Sequence, residues 1–193
     1  MEQLMAICMG LGLSAACGFR VFVPLLVISV ASYSGHLELS EGFAWIGTPP
    51  ALIAFSVATG LEIAGYYVPW VDNLLDTVAT PAAVVAGTIV TASMVTDMSP
   101  FLKWTLAVVA GGGLAATVQG ATVLARGALT AGTGGLANPV FATAEWGGSL
   151  LTSVLAVVFA PLAILVVAIG FYAVGRRILP KARRNPMVES AVE

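Results

Sequence analysis

The chain has 193 residues, of which 59% are hydrophobic and only 9% are charged, and its formal net charge is −2. Soluble domains carry charge on about 25% of their residues, so this composition excludes an ordinary water-soluble fold. Lipid removes the need for a charged surface, because the outside of a membrane bundle can be as apolar as its core. We therefore expect one polytopic membrane domain.

Long uncharged blocks divide the chain. Roughly 20 apolar residues cross a bilayer core of ~30 Å, and one block, 3–37, contains Arg20 as its single charge. The predicted fold class is all-α, a transmembrane helical bundle of five to six segments, with broken or re-entrant helices as an alternative in the longest blocks. The blocks without charge are 42–61, 77–96, 104–125, 127–144 and 146–175.

The blocks also predict where helices begin and break. The first, about residues 4–33, is longer than one span needs, and Gly18 and Pro24 on either side of Arg20 predict a break or kink. Residues 146–175 are too many for one helix and few for two. Prolines suited to a first helical turn predict starts at Thr48-Pro49, Ser99-Pro100 and Asn138-Pro139. A further segment is predicted to begin near Asp72, just after Pro69-Trp70, and Pro81 predicts a kink in it.

Basic residues predict the orientation. Five of the 8 Lys and Arg residues lie within 176–184 and place the C-terminus in the cytoplasm. The 34–47 loop has two acids and no Lys or Arg, so it fits the outside. Six crossings would put both termini inside, whereas five would put the N-terminus outside. We expect a transmembrane domain over 1–178 and a basic, then polar, cytoplasmic tail over 179–193.

Charges inside the apolar blocks are the candidate functional residues. A buried arginine in a membrane is costly and needs water or a partner. Glu62 is the first candidate partner of Arg20, followed by Asp72 and Asp76, which lie one turn apart on one helix face, and by Glu145.

Each of these residues has a structural alternative. Asp72 could cap a helix, an Arg20–Glu62 ion pair could be purely architectural, and Arg126 is expected to mark only the cytoplasmic rim. Gln119 and Asn138 are polar groups that need partners in lipid.

Small residues recur every fourth position in two places and predict close helix packing, inside the bundle or in a homo-oligomer. These stripes are Gly10, Ser14 and Gly18, and Gly112, Ala116 and Gly120. A weak internal repeat, with chance similarity as its alternative, would relate two halves inverted in the membrane, as in many transporters. The similar pairs are 10–15 with 111–116, and 80–85 with 160–165.

Several classes of chemistry are not expected. The single histidine, His36, and the spacing of Cys8 and Cys17 do not suit a metal site, and no cofactor is predicted. Nothing matches a nucleophile with a nearby histidine or a phosphate-binding loop, so we expect no enzyme. The few basic residues argue against nucleic acid.

The sequence contains three further signatures: the run from Gly12 to Arg20 with Pro24-Leu25-Leu26, Glu62-Ile63 with the run from Pro69 to Thr77, and Asn138-Pro139 with Glu145. These signatures resemble a family of bacterial inner-membrane proteins catalogued as a domain of unknown function, DUF4126. The resemblance covers the chain to about residue 175. It implies a bacterial inner-membrane location and the same charged residues, but no established reaction. Gln119 stands where the family favours a histidine, which argues against a proton relay there.

The predicted function is that of a small transporter or channel-like protein. Arg20 would bind an anionic solute or a lipid-linked phosphate head group, and the acids would release it by taking up protons. Membrane lipids are the other expected partners. The alternative is a non-transporting assembly or accessory protein that acts through the glycine faces. The predicted site consists of Arg20, Glu62, Asp72, Asp76, Glu145, Gln119 and Asn138.

Overall fold

The computed structural model describes residues 1–96 and 98–178, apart from some side chains within 69–74 and 174–178. These residues form helices and no strands, so the all-α prediction is confirmed. A 3-10 turn, Ala44–Gly47, precedes the third helix, and a π-helical segment, Ala107–Gly112, joins the fifth helix to the sixth. The helices are α1 (Glu2–Phe19), α2 (Phe22–Tyr33), α3 (Pro49–Gly65), α4 (Pro69–Met94), α5 (Pro100–Leu106), α6 (Gly113–Thr133), α7 (Asn138–Val158) and α8 (Ala160–Ile178).

Length and composition make four of the described helical stretches able to cross a membrane. Three further apolar helices are shorter, as expected where a helix is broken. Together they form a polytopic helical bundle, as predicted. The long stretches are Glu2–Phe19, Leu75–Met94, Pro100–Thr133 and Asn138–Val158, and the short ones are Phe22–Tyr33, Pro49–Gly65 and Ala160–Ala173.

The predicted starts of α3, α5 and α7 are confirmed, whereas α4 begins at Pro69, before the predicted start near Asp72. The hydroxyl of Ser99 accepts a hydrogen bond from the amide of Leu102 at 3.4 Å, as an N-cap does. Thr48 occupies the N-cap of α3, but its hydroxyl donates backwards to the carbonyl of Trp45 at 2.7 Å. The helix α4 continues past Pro81.

The predicted break at Arg20 is a reversal of the chain. α1 and α4 are antiparallel, because Gly10 lies beside Thr91 while Ser14 lies beside Gly87. After Arg20, which has extended backbone, α2 leads to a loop whose Ser40 donates its amide hydrogen to the carbonyl of Ser93 at 2.8 Å. The loop has therefore returned to the level of the first half of α1.

This reversal places the start of α1 and the 34–48 loop at the same end of the bundle. The five-crossing alternative has both on the same side of the membrane and the six-crossing alternative has them on opposite sides, and the number of crossings stays a prediction. A run of 35 residues with one charge has the same sequence pattern whether the chain crosses the membrane once or turns back within it.

A second break divides the last apolar stretch at Phe159, between α7 and α8. A Cβ atom on Gly12 would lie 3.0 Å from the Cβ of Ala156 and 3.1 Å from the Cβ of Ala163. Since both alanines flank one point of α1, the chain bends sharply between them. The long stretch is thus two helices.

The helix α1 lies at the centre of the bundle, and its small-residue stripe is used there. A Cβ on Gly10 would lie 3.1 Å from the Cα of Thr91, and one on Gly18 would lie 2.6 Å from the carbonyl oxygen of Ala115. These approaches let α4 and α6 pack directly on the backbone of α1. In the second stripe, Gly120 has open space beside it.

We predict that Gly18→Ala lowers the stability of the detergent-solubilised protein by about 1–3 kcal/mol, because the added methyl overpacks the contact with α6. Gly120→Ala is the matched control and should change stability by no more than about 1 kcal/mol. Thermal unfolding midpoints measured in one detergent compare the two variants. Equal midpoints would contradict the packing described for α1.

Candidate functional site

Charged residues from several helices meet near one end of the bundle. Asp76, Arg126 and Glu145 each lie two turns inside the end of their helix, on α4, α6 and α7 respectively. Two turns correspond to about 10 Å of helix. Arg20 reaches the same level because the chain reverses there. The site is thus buried within the protein. Arg20 is near the middle of block 3–37 in sequence, but in the structure the site lies closer to one end of the bundle.

One carboxylate joins two arginines. The Nη2 atom of Arg20 lies 2.8 Å from Oε2 of Glu145, and the Nη2 atom of Arg126 donates to the same oxygen. The Nη1 atom of Arg126 also lies 3.5 Å from Oδ1 of Asp76. Arg20, Arg126 and Glu145 are buried, with Arg20 only 2% exposed. Glu145 is therefore the shared counter-charge of the site.

Both guanidiniums of the site contact the aromatic ring of one tyrosine. The guanidinium carbon of Arg20 lies 3.6 Å from the ring centroid of Tyr66, and that of Arg126 lies 4.4 Å from it. Phe141 is 5.9 Å from Arg126. Such contacts attract a cation to the ring face and are stronger when water is excluded. The buried ring of Tyr66 thus holds two like charges near each other.

Two donor nitrogens of Arg20 have no partner in the described part of the chain. Its Nη2 atom donates to the carbonyl of Ala142 at 3.1 Å as well as to Glu145. Its Nε and Nη1 atoms are buried and have no hydrogen-bond partner among the described residues. A guanidinium is a rigid donor group that suits the oxygens of a carboxylate or phosphate. These donors of Arg20 therefore have the chemistry of an anion-binding group.

Glu62 has a different role from the one predicted. Its Oε1 accepts the amide hydrogen of Val21 at 2.7 Å, and its Oε2 accepts that of Phe22 at 3.1 Å. The reversal at Arg20 starts a new helix whose first amides have no partner within the helix, and a carboxylate is well placed there. Arg20 takes Glu145 as its ion-pair partner, so ranking Glu62 first was wrong.

The other predicted residues are spread along the helices. Gln119 is buried two turns from Arg126 on α6. The side-chain amide of Asn138 donates to the hydroxyl of Thr130 at 3.0 Å, two turns from Glu145 on α7. The side chain of Asp72 lies outside the described residues.

Two members of the site were misjudged from sequence. Arg126 was expected at the cytoplasmic rim, but it is buried. It follows Gln119 by seven residues and Thr122 by four, and all three are buried on one face of α6. This polar face was the available signal. Tyr66 was not predicted as a member of the site, because it directly follows α3 and nothing local indicates a stacked arginine.

The described acids do not gather as metal ligands. Within 1–96 and 98–178, no group of three His, Cys, Asp or Glu side chains is placed to hold a metal ion. The acids of the site instead face arginines. Its chemistry is that of ion pairs and hydrogen bonds.

Comparisons with known proteins give one match. A family model described as a domain of unknown function, DUF4126, matches residues 7–181, so the chain belongs to this family. Neither curated proteins nor solved structures yielded a match.

We predict that Glu145→Gln lowers the stability of the protein by about 3–5 kcal/mol, because it leaves two buried arginines without their shared counter-charge. Arg20→Gln should also destabilise, and the double variant should lose less than the sum of the two single losses. Asp76→Asn is the milder comparison, since that carboxyl is 17% exposed. Thermal unfolding in detergent measures all four variants. Additive losses would show that Arg20 and Glu145 do not interact.

Proposed function

We propose that this member of the DUF4126 family is a small membrane transporter that binds an anion at Arg20 and Arg126. The anion would be a solute or a lipid-linked head group bearing phosphate or carboxylate. The observation that carries the proposal is at Arg20, whose buried Nε and Nη1 donors have no acceptor among the described residues. Buried polar groups are nearly always satisfied, so a bound acceptor would satisfy these donors.

Glu145 acts in this proposal as an internal competitor. Its Oε2 atom occupies one donor of Arg20 and one of Arg126, as an oxygen of a bound phosphate or carboxylate would. An entering anion could share the arginines with Glu145 or displace it. Two guanidiniums that share one acceptor oxygen favour a ligand with several oxygens.

In this proposal, protonation of Glu145 favours anion binding. A protonated Glu145 would no longer balance the two arginines, so their affinity for an external anion would rise. Proton uptake therefore accompanies binding, and proton loss accompanies release. This order is the reverse of the one expected from sequence, where the acids released the anion by taking up protons.

Access to the site is supported from one end. Asp76, the outermost carboxyl of the cluster, is partly exposed, while the arginines and Glu145 are buried. The charged residues lie two helical turns from the ends of α4, α6 and α7. A solute or head group that enters between these helix ends could therefore reach them. Alternate exposure to the other end would complete a transport cycle.

The wider proposal places the protein in the bacterial inner membrane with a cytoplasmic C-terminus. The basic residues at 176–184 support this orientation. The site is proposed to bind and move an anion without breaking bonds. The accessory-protein alternative has less support, because the glycine stripe of α1 packs inside the bundle and is not available to a partner.

Arg20→Ala should abolish anion movement in proteoliposomes, because it removes the two unpaired donors. Two probes cover the two substrate classes: radiolabelled inorganic phosphate for solute uptake, and a fluorescent phosphate-bearing lipid for flipping. Arg20→Lys keeps the charge but not the fork, and should retain less than about a tenth of the rate. Uptake of the transported probe should increase when the outside is made more acidic.

Arg176→Gln is the matched control, since Arg176 is an exposed cation on α8. It should leave transport unchanged. Each variant is first shown to be folded by its elution profile and its unfolding midpoint. Full transport by Arg20→Ala would remove Arg20 from the mechanism. Absence of movement for both probes in the wild-type protein would overturn the proposal for these substrates.

A further inference from the structure

A polar cleft lies at the opposite end of the bundle from the arginine site. Its volume is about 670 Å³, and it opens where α4 ends and α5 begins. The 34–48 loop forms one wall and the first turns of α5 form the other. The residues that carry the argument are Ser40, Glu41, Phe43, Lys103 and Trp104.

Lys103 is held in this cleft by a rigid neighbour. Its Nζ atom donates to the hydroxyl of Ser40 at 2.7 Å. Ser40 is itself fixed to the end of α4, because its amide and hydroxyl donate to the carbonyls of Ser93 and Ala92. An ammonium has three donors, so within the described part of the chain the bond to Ser40 leaves two for a ligand. Lys103 is also the only Lys or Arg between Arg20 and Arg126.

The cleft has a negative group as well as a positive one. Glu41 lines the same cavity, and no ion pair joins it to Lys103 in the described part of the chain. Phe43 lies 5.2 Å from the ammonium of Lys103 and 6.2 Å from the ring of Trp104. A ligand with both a phosphate and an ammonium would match these two charges.

An apolar groove continues from the cleft along α5 and the π-helical segment. Its volume is about 560 Å³, and Pro100 and Trp104 line both cavities. Phe101 and Val109 in the groove are 78% and 70% exposed. This groove runs along a stretch long and apolar enough to cross a membrane. A head group in the cleft would therefore lead directly into an acyl chain in the groove.

We infer that this surface binds one phospholipid of the ethanolamine type. Its phosphodiester lies at Lys103, its ammonium lies at Glu41, and one acyl chain follows the groove from Trp104 toward Val109. Lysine is a common phosphate ligand, and tryptophan is suited to the boundary between head groups and chains. The inference does not depend on the proposed transport, since the two sites lie at opposite ends of the bundle.

Native mass spectrometry of the delipidated full chain tests this site. Phosphatidylethanolamine, phosphatidylglycerol and inorganic phosphate are added separately to the wild-type protein. We expect the ethanolamine lipid to be retained best and inorganic phosphate not to be retained. Lys103→Gln should lower the affinity for both lipids by about tenfold, because it removes the phosphate ligand. Lys103→Arg should restore most of it.

Glu41→Gln should remove the preference for ethanolamine over glycerol, because it removes the partner of the ammonium. Glu38→Gln is the matched control, since Glu38 is an exposed acid in the same loop but does not line the cleft. Trp104→Ala should weaken both lipids. The site is overturned if Lys103→Gln, shown to be folded by its unfolding midpoint, retains the wild-type affinity for both lipids, or if phosphatidylglycerol is preferred by the wild type. Arg20→Ala should not alter lipid retention, so failure here and failure of transport are distinguishable.

Discussion

A single carboxylate oxygen of Glu145 forms ion pairs with two arginines and so links several helices at the polar site. Two arginines, one at the reversal after α1 and one on α6, donate to it from different directions. Because charges cannot be left uncompensated in a lipid-bound interior, the positions of α1, α6 and α7 at this level are coupled. Tyr66, from the end of α3, and Asp76, from α4, complete the same cluster. The end of α1, the end of α3, and the helices α4, α6 and α7 are thus held together by the need to compensate these buried charges.

Close packing makes this arrangement possible. The glycines of α1 allow the backbones of α4 and α6 to approach it, which brings helices together without large side chains between them. Ser14 donates to the carbonyl of Gly111, and Ser149 donates to the carbonyl of Ala16 at 3.0 Å. The central helix therefore combines small residues with hydroxyls that satisfy neighbouring carbonyls. A bulkier α1 would separate the helices whose charges must meet.

Much of the fold follows from patterns that the sequence displays directly. Hydrophobic blocks and proline-led starts predict the helices, and the cost of buried charge singles out Arg20 and Glu145. Partner choice is different, because it depends on which helices become neighbours. Glu62 satisfies two amides 40 and 41 positions away, a need that exists only because the chain turns back at Arg20. Arg126 is a second example. The periodicity of the sequence predicts which face of α6 it occupies, but the packing of the helices determines how deeply it is buried.

The distance along the chain between Arg20 and Glu145 has a consequence for biosynthesis. The two are 125 residues apart, so a ribosome adding roughly 5–20 residues per second emits the arginine several seconds before its carboxylate. During that interval α1 to α6 are made while the guanidinium still lacks this counter-ion. The ion pair between Arg20 and Glu145 can therefore form only after the first turns of α7 have been made.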